Sequence, residues 1–392
     1  MKDDQKAPKR VKKPNMFFRL LALAVTAVLI LGALALVVYR DTYNVGALKR
    51  WLTYRDMPTS ETGEAAPFTH AGGDKLSVAC LDSGVVTVST AGAHYYGPDG
   101  EHLAEEVLSM ENPVLSASRT AAVAYDAGNQ SLFLFRGGEE TFQLTLTGGN
   151  NLLSARVNDS GWLAVTAQQS GFKGAVTVYN SRGTEVITIG LSSVFAVDAA
   201  VSPDGRSVAV ITMGQESGNF FSRLLIYSLE QTEPSVQVEL GALTVLDLDY
   251  EQDVLWVLGE DRLLTISADG TQVNTCLLTP NYLKGCSLEG DGFALLLEGP
   301  YRAGGAAQAT VVDSSAQAVR SIPLAGQVLD YSAAGESFAL LTGSRLTIYG
   351  QESAPCAVLD DPQAARHVDL APNGSALLAN EQQAWLFIPP SQ

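Results

Sequence analysis

A repeat of paired apolar strands constrains the fold of this chain more than any other feature. About every 40–45 residues, a short apolar strand leads through an acidic or glycine-containing turn into a second apolar strand. Copies of this unit occupy residues 81–86, 158–165, 201–210, 250–256, 290–295, 334–340 and 372–377. Strand repeats of this period are typical of β-propellers, so an all-β propeller is predicted.

One unit shows the expected blade clearly. Residues 196–202 and 206–212 predict two strands around a turn at 203–205, and residues 224–228 and 236–240 predict two more. Four antiparallel strands in about 45 residues make one propeller blade.

The same pattern divides the chain into eight units. They cover residues 74–113, 114–150, 151–193, 194–243, 244–281, 282–326, 327–364 and 365–390. Eight blades are therefore predicted, with seven as the alternative because the first two units are weak. The last unit has only three strands, and a propeller must close to protect its sheet edges. The segment around residues 67–70 is predicted to supply the missing outer strand.

A hydrophobic stretch precedes the repeats. Residues 20–38 contain no charged side chain, and about 20 such residues span a bilayer as a helix. Seven Lys and Arg residues lie within residues 1–19, which favours a cytoplasmic N-terminus. A cleavable signal peptide is the alternative, but no small-residue cleavage site follows Val38. The predicted domains are a cytoplasmic basic stub (1–19), a transmembrane helix (20–39), a juxtamembrane helix and linker (40–65) and an extracytoplasmic propeller (66–392).

The charge distribution excludes some partners. The whole chain has a formal net charge of −17, and residues 1–19 hold seven basic and two acidic residues. The remainder has 25 − 7 = 18 basic and 42 − 2 = 40 acidic residues, or a net charge of −22. Such a domain repels nucleic acid, so no nucleic-acid partner is predicted.

The segment between the hydrophobic stretch and the repeats has two parts. Apolar residues at 45, 48, 51 and 52 follow helical spacing, and Trp51 and Tyr54 suit a lipid–water interface. A short helix over residues 44–55 is therefore predicted at the membrane surface. Residues 57–64 are polar and predict a flexible linker.

Signals for catalysis, metals and cofactors are weak. The sequence has no Walker loop, no G-x-S-x-G elbow, no GxGxxG and no HExxH, and the four histidines are dispersed along the chain. Cys80, Cys276, Cys286 and Cys356 include no CxxC pair, and the repeat separates them, so buried thiols are favoured over disulfides. No catalytic residue, metal site or cofactor is predicted.

Acidic residues recur at one position of the repeat. Five residues before each turn glycine, or its equivalent, the first strands carry Arg156, Ala200, Asp247, Ser287, Asp330 and Asp369. The three carboxylates could bind a cation near the central channel. Alternatively, they accept backbone N–H bonds from neighbouring blades, and this structural role is the favoured interpretation.

Three units contain long connections between their second and third strands. The connections are residues 168–174, 214–223 and 299–304, and in a propeller such connections open on one face. Exposed aromatic residues beside Arg or Lys are typical of interaction sites. The predicted binding residues are Phe172, Lys173, Asn219, Phe220, Phe221, Tyr301 and Arg302. The alternative is that these aromatic rings fold back and cover the core.

The turn Ser202-Pro203-Asp204-Gly205 resembles the repeat of TolB-type and WD-like propellers, and Ala371-Pro372-Asn373-Gly374 is a near match. The layout of stub, span, linker and propeller resembles a family of uncharacterised single-pass membrane-anchored β-propeller proteins of Gram-positive bacteria. This resemblance implies a surface-facing membrane protein and transfers no functional residues. The sequence thus predicts a membrane-anchored, extracytoplasmic binding or scaffolding module for a protein or cell-envelope ligand. The alternative is a glycan-active hydrolase or lyase on the same scaffold.

Overall fold

The computed structural model describes residues 25–26, 50, 52–55, 57–350 and 354–390. From residue 54 onward the chain forms one compact unit of eight four-stranded antiparallel sheets, which are the blades of a propeller. Strands follow one another from the innermost to the outermost position in each blade, except that the first strand of the chain completes the last blade. The prediction of eight blades is confirmed, and the alternative of seven is wrong.

The strand boundaries agree with the eight sequence units. Blade 1 contains β2 (Ser77–Leu81), β3 (Gly84–Ser89), β4 (Gly92–Tyr96) and β5 (His102–Glu106); blade 2 contains β6 (Pro113–Ala117), β7 (Ala121–Asp126), β8 (Ser131–Arg136) and β9 (Glu139–Thr145); blade 3 contains β10 (Leu152–Val157), β11 (Leu163–Ala167), β12 (Gly174–Tyr179) and β13 (Glu185–Leu191); blade 4 contains β14 (Phe195–Val201), β15 (Ser207–Glu216), β16 (Asn219–Ser228) and β17 (Val236–Gly241). Blade 5 contains β18 (Val245–Glu251), β19 (Val254–Gly259), β20 (Arg262–Ser267) and β21 (Val273–Leu277); blade 6 contains β22 (Tyr282–Gly290), β23 (Phe293–Gly299), β24 (Gln308–Asp313) and β25 (Ala318–Pro323); blade 7 contains β26 (Val328–Ala334), β27 (Ser337–Thr342), β28 (Arg345–Tyr349) and β29 (Pro355–Asp360); blade 8 contains β30 (His367–Leu370), β31 (Ala376–Ala379), β32 (Gln383–Phe387) and β1 (Phe68–Thr69).

The ring closes through β1, as predicted. Phe68 pairs with Ala384 and Thr69 pairs with Gln383, so β1 is the outer strand of blade 8. Backbone hydrogen bonds between β1 and β32 join the two ends of the propeller. This pairing protects the edge of β32.

The segment predicted as a flexible linker is instead packed against blade 8. The Ala65 N–H donates to the Leu386 carbonyl at 2.8 Å, and the Ile388 N–H donates to the Gly63 carbonyl at 2.8 Å. The Gln363 side chain also donates to the Glu64 carboxylate at 2.8 Å. Polar composition predicted mobility here, but the free edge of β32 offers backbone partners that a polar segment can use.

The core lies between the blades rather than at the centre of the ring. The described residues form eight apolar clusters, and each joins two adjacent blades. Second strands such as β3 and β7 are buried along their whole length. Because these strands are covered on both faces, their sequences are continuous apolar runs instead of alternating ones. Tyr54 is 9% exposed and packs in the cluster that joins blade 8 to blade 1.

The predicted transmembrane helix at residues 20–39 lies outside the described residues, except for residues 25 and 26. Within the ranges that the structure describes, no helix is both long enough and apolar enough to cross a membrane. Residues 50 and 52–54 are helical, inside the stretch predicted as a juxtamembrane helix.

Candidate functional site

The propeller has two faces with different connections. The turns between first and second strands, and between third and fourth strands, form what we call the turn face. The connections between second and third strands, and between successive blades, form the loop face. All seven binding residues predicted from the sequence lie on the loop face.

In blade 3 the predicted residues Phe172 and Lys173 are exposed, and both make local contacts. The Lys173 Nζ donates to the Ser193 carbonyl at 2.8 Å and lies 5.1 Å from the centre of the Phe195 ring. The Phe172 ring lies over Gly190, where a Cβ atom would come within 2.6 Å of it, and 45% of its surface stays exposed. This connection is therefore held in place while keeping an apolar surface.

In blade 4 the predicted long loop at 214–223 is wrong. β15 and β16 continue as a paired hairpin up to Glu216 and Asn219, joined by Ser217 and Gly218. These two residues have φ angles of 51° and 83°, which are the backbone angles of a type I′ hairpin turn. Because this turn matches the twist of the strands, pairing continues to the tip instead of ending in a loop.

The hairpin separates its two aromatic residues. Phe220 is 48% exposed near the tip, next to the predicted residue Asn219. Phe221 is only partly exposed, because its ring covers Gly214 and stacks 4.1 Å from the guanidinium of Arg223. Phe220 is thus available to a partner, whereas Phe221 supports the hairpin.

In blade 6 the predicted residues Tyr301 and Arg302 lie in the connection between β23 and β24. Tyr301 is 74% exposed. The Lys284 Nζ donates to the Arg302 carbonyl at 2.8 Å, which fixes the backbone and leaves both predicted side chains exposed. The structure places blades 3 and 4 side by side, with blade 5 between them and blade 6.

Further exposed apolar residues on this face were not predicted, among them one in each of blades 4, 5 and 6. Phe195 and Tyr282 begin the first strands of blades 4 and 6 and are 50% and 45% exposed. Leu246, 55% exposed, occupies the same region of blade 5, where the pairing of β18 with β19 shifts by one residue. The bulge turns Leu246 outward. The sequence does not indicate that an apolar residue at the start of a strand is exposed, so these three residues could not be predicted.

The central channel is the second unusual region. It encloses a cavity of about 740 Å³ lined by the first strands and by the turns that follow them. Arg156 lies within it and joins three blades: its Nε donates to Asp198 at 2.7 Å, and its Nη2 donates to Asp247. Asp198 also accepts a bond from the Ser154 hydroxyl at 2.5 Å. A charged network of this kind connects blades 3, 4 and 5.

The acidic residues identified from the sequence form hydrogen bonds across the interfaces between blades. Asp330 accepts the Val368 N–H at 2.9 Å, and Asp369 accepts the Cys80 N–H at 2.7 Å, each from the following blade. Asp369 also accepts the Ser332 hydroxyl at 3.0 Å, from the preceding blade. The favoured structural interpretation is confirmed for these two residues. Asp247 differs, because its partner from another blade is Arg156.

Two other carboxyls in the channel, Asp249 and Glu289, form no ion pair with the side chains that the structure describes. Enclosure by the protein raises the pKa of Asp249 to about 7, with further contributions from Glu251 and Asp247 that Arg156 opposes. Enclosure, and then the charges of Asp369, Asp249 and Asp247, raise the pKa of Glu289 well above its ordinary value. Asp249 and Glu289 therefore keep their protons to higher pH than ordinary carboxyls do.

The cysteines remain apart, as predicted, and none of the four forms a disulfide. Cys80 is buried, but Cys356 is exposed, so the prediction of buried thiols is wrong for Cys356. Its position on the outer strand β29 explains this, because outer strands face solvent on the rim of the propeller.

Two histidines that are separate in the sequence meet in blade 1. His94 lies on β4 and His102 on β5, and both approach Glu105. The sequence alone does not predict this group, because its formation depends on the register of the hairpin rather than on a fixed metal-ligand spacing.

Comparison with known proteins identifies a family and a fold. A family model described as Family of unknown function (DUF5711) matches residues 55–354. A search of curated proteins found no match.

Solved structures resemble the propeller at low sequence identity. The C-terminal WD40 domain of Sif2 has a TM-score of 0.57 at 11% identity, over 83% of this chain and 99% of the Sif2 chain. The computationally designed Ika8 protein has a TM-score of 0.57 at 10% identity, over 81% of this chain and 97% of its own. A eukaryotic initiation factor has a TM-score of 0.52 at 13% identity, over 83% and 89%. At such identities the likeness concerns the fold alone.

Proposed function

The chain belongs to this family of unknown function, DUF5711, and we propose that its propeller is a binding module whose loop face holds a protein partner. One observation carries the proposal. All five exposed side chains of Phe, Tyr and Trp in the described ranges lie on the loop face, on blades 3, 4 and 6. They are Phe172, Phe195, Phe220, Tyr282 and Tyr301, each 45–74% exposed.

The arrangement of these side chains fits an interface better than a covered core. Leu246 of blade 5 lies between the two groups of aromatic residues, so the apolar surface spans four consecutive blades. Lys173 and Lys284 hold the adjacent backbone through their bonds to Ser193 and Arg302. Aromatic side chains on a rigid support lose little entropy on binding and are enriched among the residues that dominate binding energy.

A photo-crosslinking experiment tests this proposal. A crosslinking amino acid is introduced at Phe220 or Tyr301, and at the control position Val319, which is 58% exposed on the outer strand of blade 6. We expect a discrete crosslinked protein from the two loop-face positions and none from Val319. That product should be lost when Phe172 and Phe195 are replaced by Ser. Equal products from all three positions would refute the loop face as the binding surface.

We further propose that residues 20–38 anchor the chain in the cell membrane, with the N-terminus cytoplasmic and the propeller outside. The support is the uncharged stretch and the basic residues before it. Because Cys356 is exposed, a membrane-impermeant maleimide should label it in intact cells, and Cys356→Ser should remove the label. Labelling only after lysis would overturn this topology.

A glycan-active hydrolase is the second candidate, favoured by the raised pKa values of Asp249 and Glu289 in a channel with several other carboxyls. Its weakness is that Asp330 and Asp369 are already bound across blade interfaces. Incubation of the purified chain with cell-wall glycans distinguishes the two. Product formation that Glu289→Gln abolishes would support hydrolysis, whereas no product would eliminate it.

A further inference from the structure

We propose that His94, His102 and Glu105 form a binding site for a zinc-type divalent cation on blade 1. The site is independent of the loop face, because it lies on the third and outer strands of the blade, beside their turn on the turn face. Three protein ligands would leave one coordination position open to water.

The distances among the three ligand atoms support this inference. The His94 Nδ1 lies 3.5 Å from the His102 Nε2 and 3.5 Å from the Glu105 Oε2. The His102 Nε2 lies 3.6 Å from the same Glu105 oxygen. These atoms form a nearly equilateral triangle, so an ion lying just out of their plane is about 2.1 Å from all three, within the usual range of bond lengths from zinc to imidazole nitrogen and carboxylate oxygen.

The size of the triangle also favours a particular geometry. With bonds of about 2.1 Å, ligand atoms around a tetrahedral ion are separated by about 3.4 Å, and those around an octahedral ion by about 3.0 Å. The observed separations of 3.5–3.6 Å are within about 0.2 Å of the tetrahedral value and well above the octahedral one. A donor set of two imidazoles and one carboxylate suits zinc, and the tetrahedral spacing makes an octahedral iron site a poorer fit.

The backbone explains how these side chains come to the same face. His94 pairs with Glu105, whereas Tyr96 pairs with His102, so the register shifts by one residue within the hairpin. In a regular strand, residues three apart point to opposite faces. The bulge adds one residue to β5 and brings His102 and Glu105 to the side of His94.

The residues around the cation site support its side chains and leave it open to solvent. His94 is 6% exposed, whereas the His102 and Glu105 side chains are 43% and 51% exposed, so an ion can enter from solvent. The Tyr96 ring lies 5.2 Å from His102, and its hydroxyl accepts the Ala71 N–H at 2.9 Å. Since the Phe68 ring of β1 lies 5.2 Å from Tyr96, the site is next to the closure of the ring.

Metal titration of the purified full-length chain tests the proposal. After chelator treatment and dialysis, Zn²⁺ is added in competition with a chromophoric chelator, and Co²⁺ binding is followed by its absorption. We expect one ion per chain, a tetrahedral Co²⁺ spectrum and a higher melting temperature with Zn²⁺. His102→Ala and Glu105→Gln should weaken binding about 100-fold, and because both residues are exposed these variants should remain folded.

His367→Ala is the matched control, since His367 lies on β30 in blade 8, and its affinity should equal that of the unmodified chain. Substoichiometric binding by the unmodified chain would overturn the proposal. Equal affinity in the His102→Ala and Glu105→Gln variants would also do so. A sulfur-to-cobalt charge-transfer band would likewise overturn it, because it would mean that a cysteine is a ligand.

Discussion

The central channel and the loop face both contain residues that do not fit the apolar repeat, but these residues have different roles in the two regions. In the channel, the charges of Arg156, Asp198 and Asp330 are bound to neighbouring blades. On the loop face, Phe220 and Tyr301 keep about half or more of their surface exposed, at 48% and 74%. A residue that serves an interface between blades has a structural role, whereas an exposed aromatic residue is available to a partner. Substitutions in the channel should therefore reduce stability, and substitutions on the loop face should reduce binding.

The largest effect is expected from Arg156→Ala. This substitution leaves Asp198 and Asp247 without their cation inside the channel. Breaking a buried ion pair costs about 3–5 kcal/mol, and because the Arg156 side chain is 28% exposed the free energy of unfolding should fall by the lower figure, about 3 kcal/mol, in urea denaturation.

Arg119→Ala is the matched control. The Arg119 side chain is 44% exposed and lies 3.5 Å from Asp82 at the mouth of the channel, so the expected loss is about 0.5 kcal/mol. Equal losses in the two variants would remove the distinction between enclosed and surface charges.

A smaller effect is expected from Phe68→Ala in the closing strand. The Phe68 ring packs on Tyr96 and fills the space beside Gly100, and its loss should reduce the free energy of unfolding by about 2 kcal/mol. Phe220→Ala removes an equally large ring from the loop face and should change stability by less than about 0.5 kcal/mol. Thermal unfolding measures both variants. A large loss from Phe220→Ala would mean that the loop-face ring is part of the core.

The channel should also make stability depend on pH. The pKa of Asp249 is about 7 in the folded protein, above the ordinary value of about 4, so the folded state holds this proton more tightly than the unfolded state. Its stabilising contribution is complete below pH 4 and is lost as pH rises through about 7. Asp249→Asn should therefore be more stable than the unmodified chain at pH 8, by about 1 kcal/mol. Urea denaturation at pH 5 and pH 8 measures this gain, and a variant that gains nothing at pH 8 would contradict it.

An effect of similar size is expected in the hairpin that carries Phe220. Gly218 has a φ angle of 83°, and a Cβ atom there meets no neighbour, so Gly218→Ala adds backbone strain alone. The expected loss is about 1 kcal/mol. Gly343→Ala is the control, because Gly343 also lies in open space and does not have a positive φ angle. If the two variants have equal melting temperatures, strain at the hairpin tip is absent.

Most of the fold could be predicted because the blade is a local unit. Strand 4 of blade 4 was predicted at residues 236–240 and spans Val236–Gly241. The closing role of the segment near Phe68 followed from counting strands in the last unit. The turn at 217–218 could not be predicted in the same way, since the choice between a loop and a continued hairpin depended on two φ angles.

The candidate sites were less predictable. Phe172, Phe220 and Tyr301 could be named because aromatic residues in connections stand out in a sequence. Phe195 and Tyr282 could not, because an apolar residue at the start of a strand is usually buried. The partners of Arg156 are 42 and 91 residues away, and no local pattern pairs them.

By itself, the sequence determined the strand repeat, the eight blades and the origin of the closing strand. These features depend on alternation, turn residues and strand counting, which act over a few tens of residues. Only the tertiary structure decided which polar groups meet in the channel and which histidines meet in blade 1. The reason is geometric: packing of one blade on the next sets the contacts across the channel, and a single-residue bulge reverses the direction of every side chain beyond it.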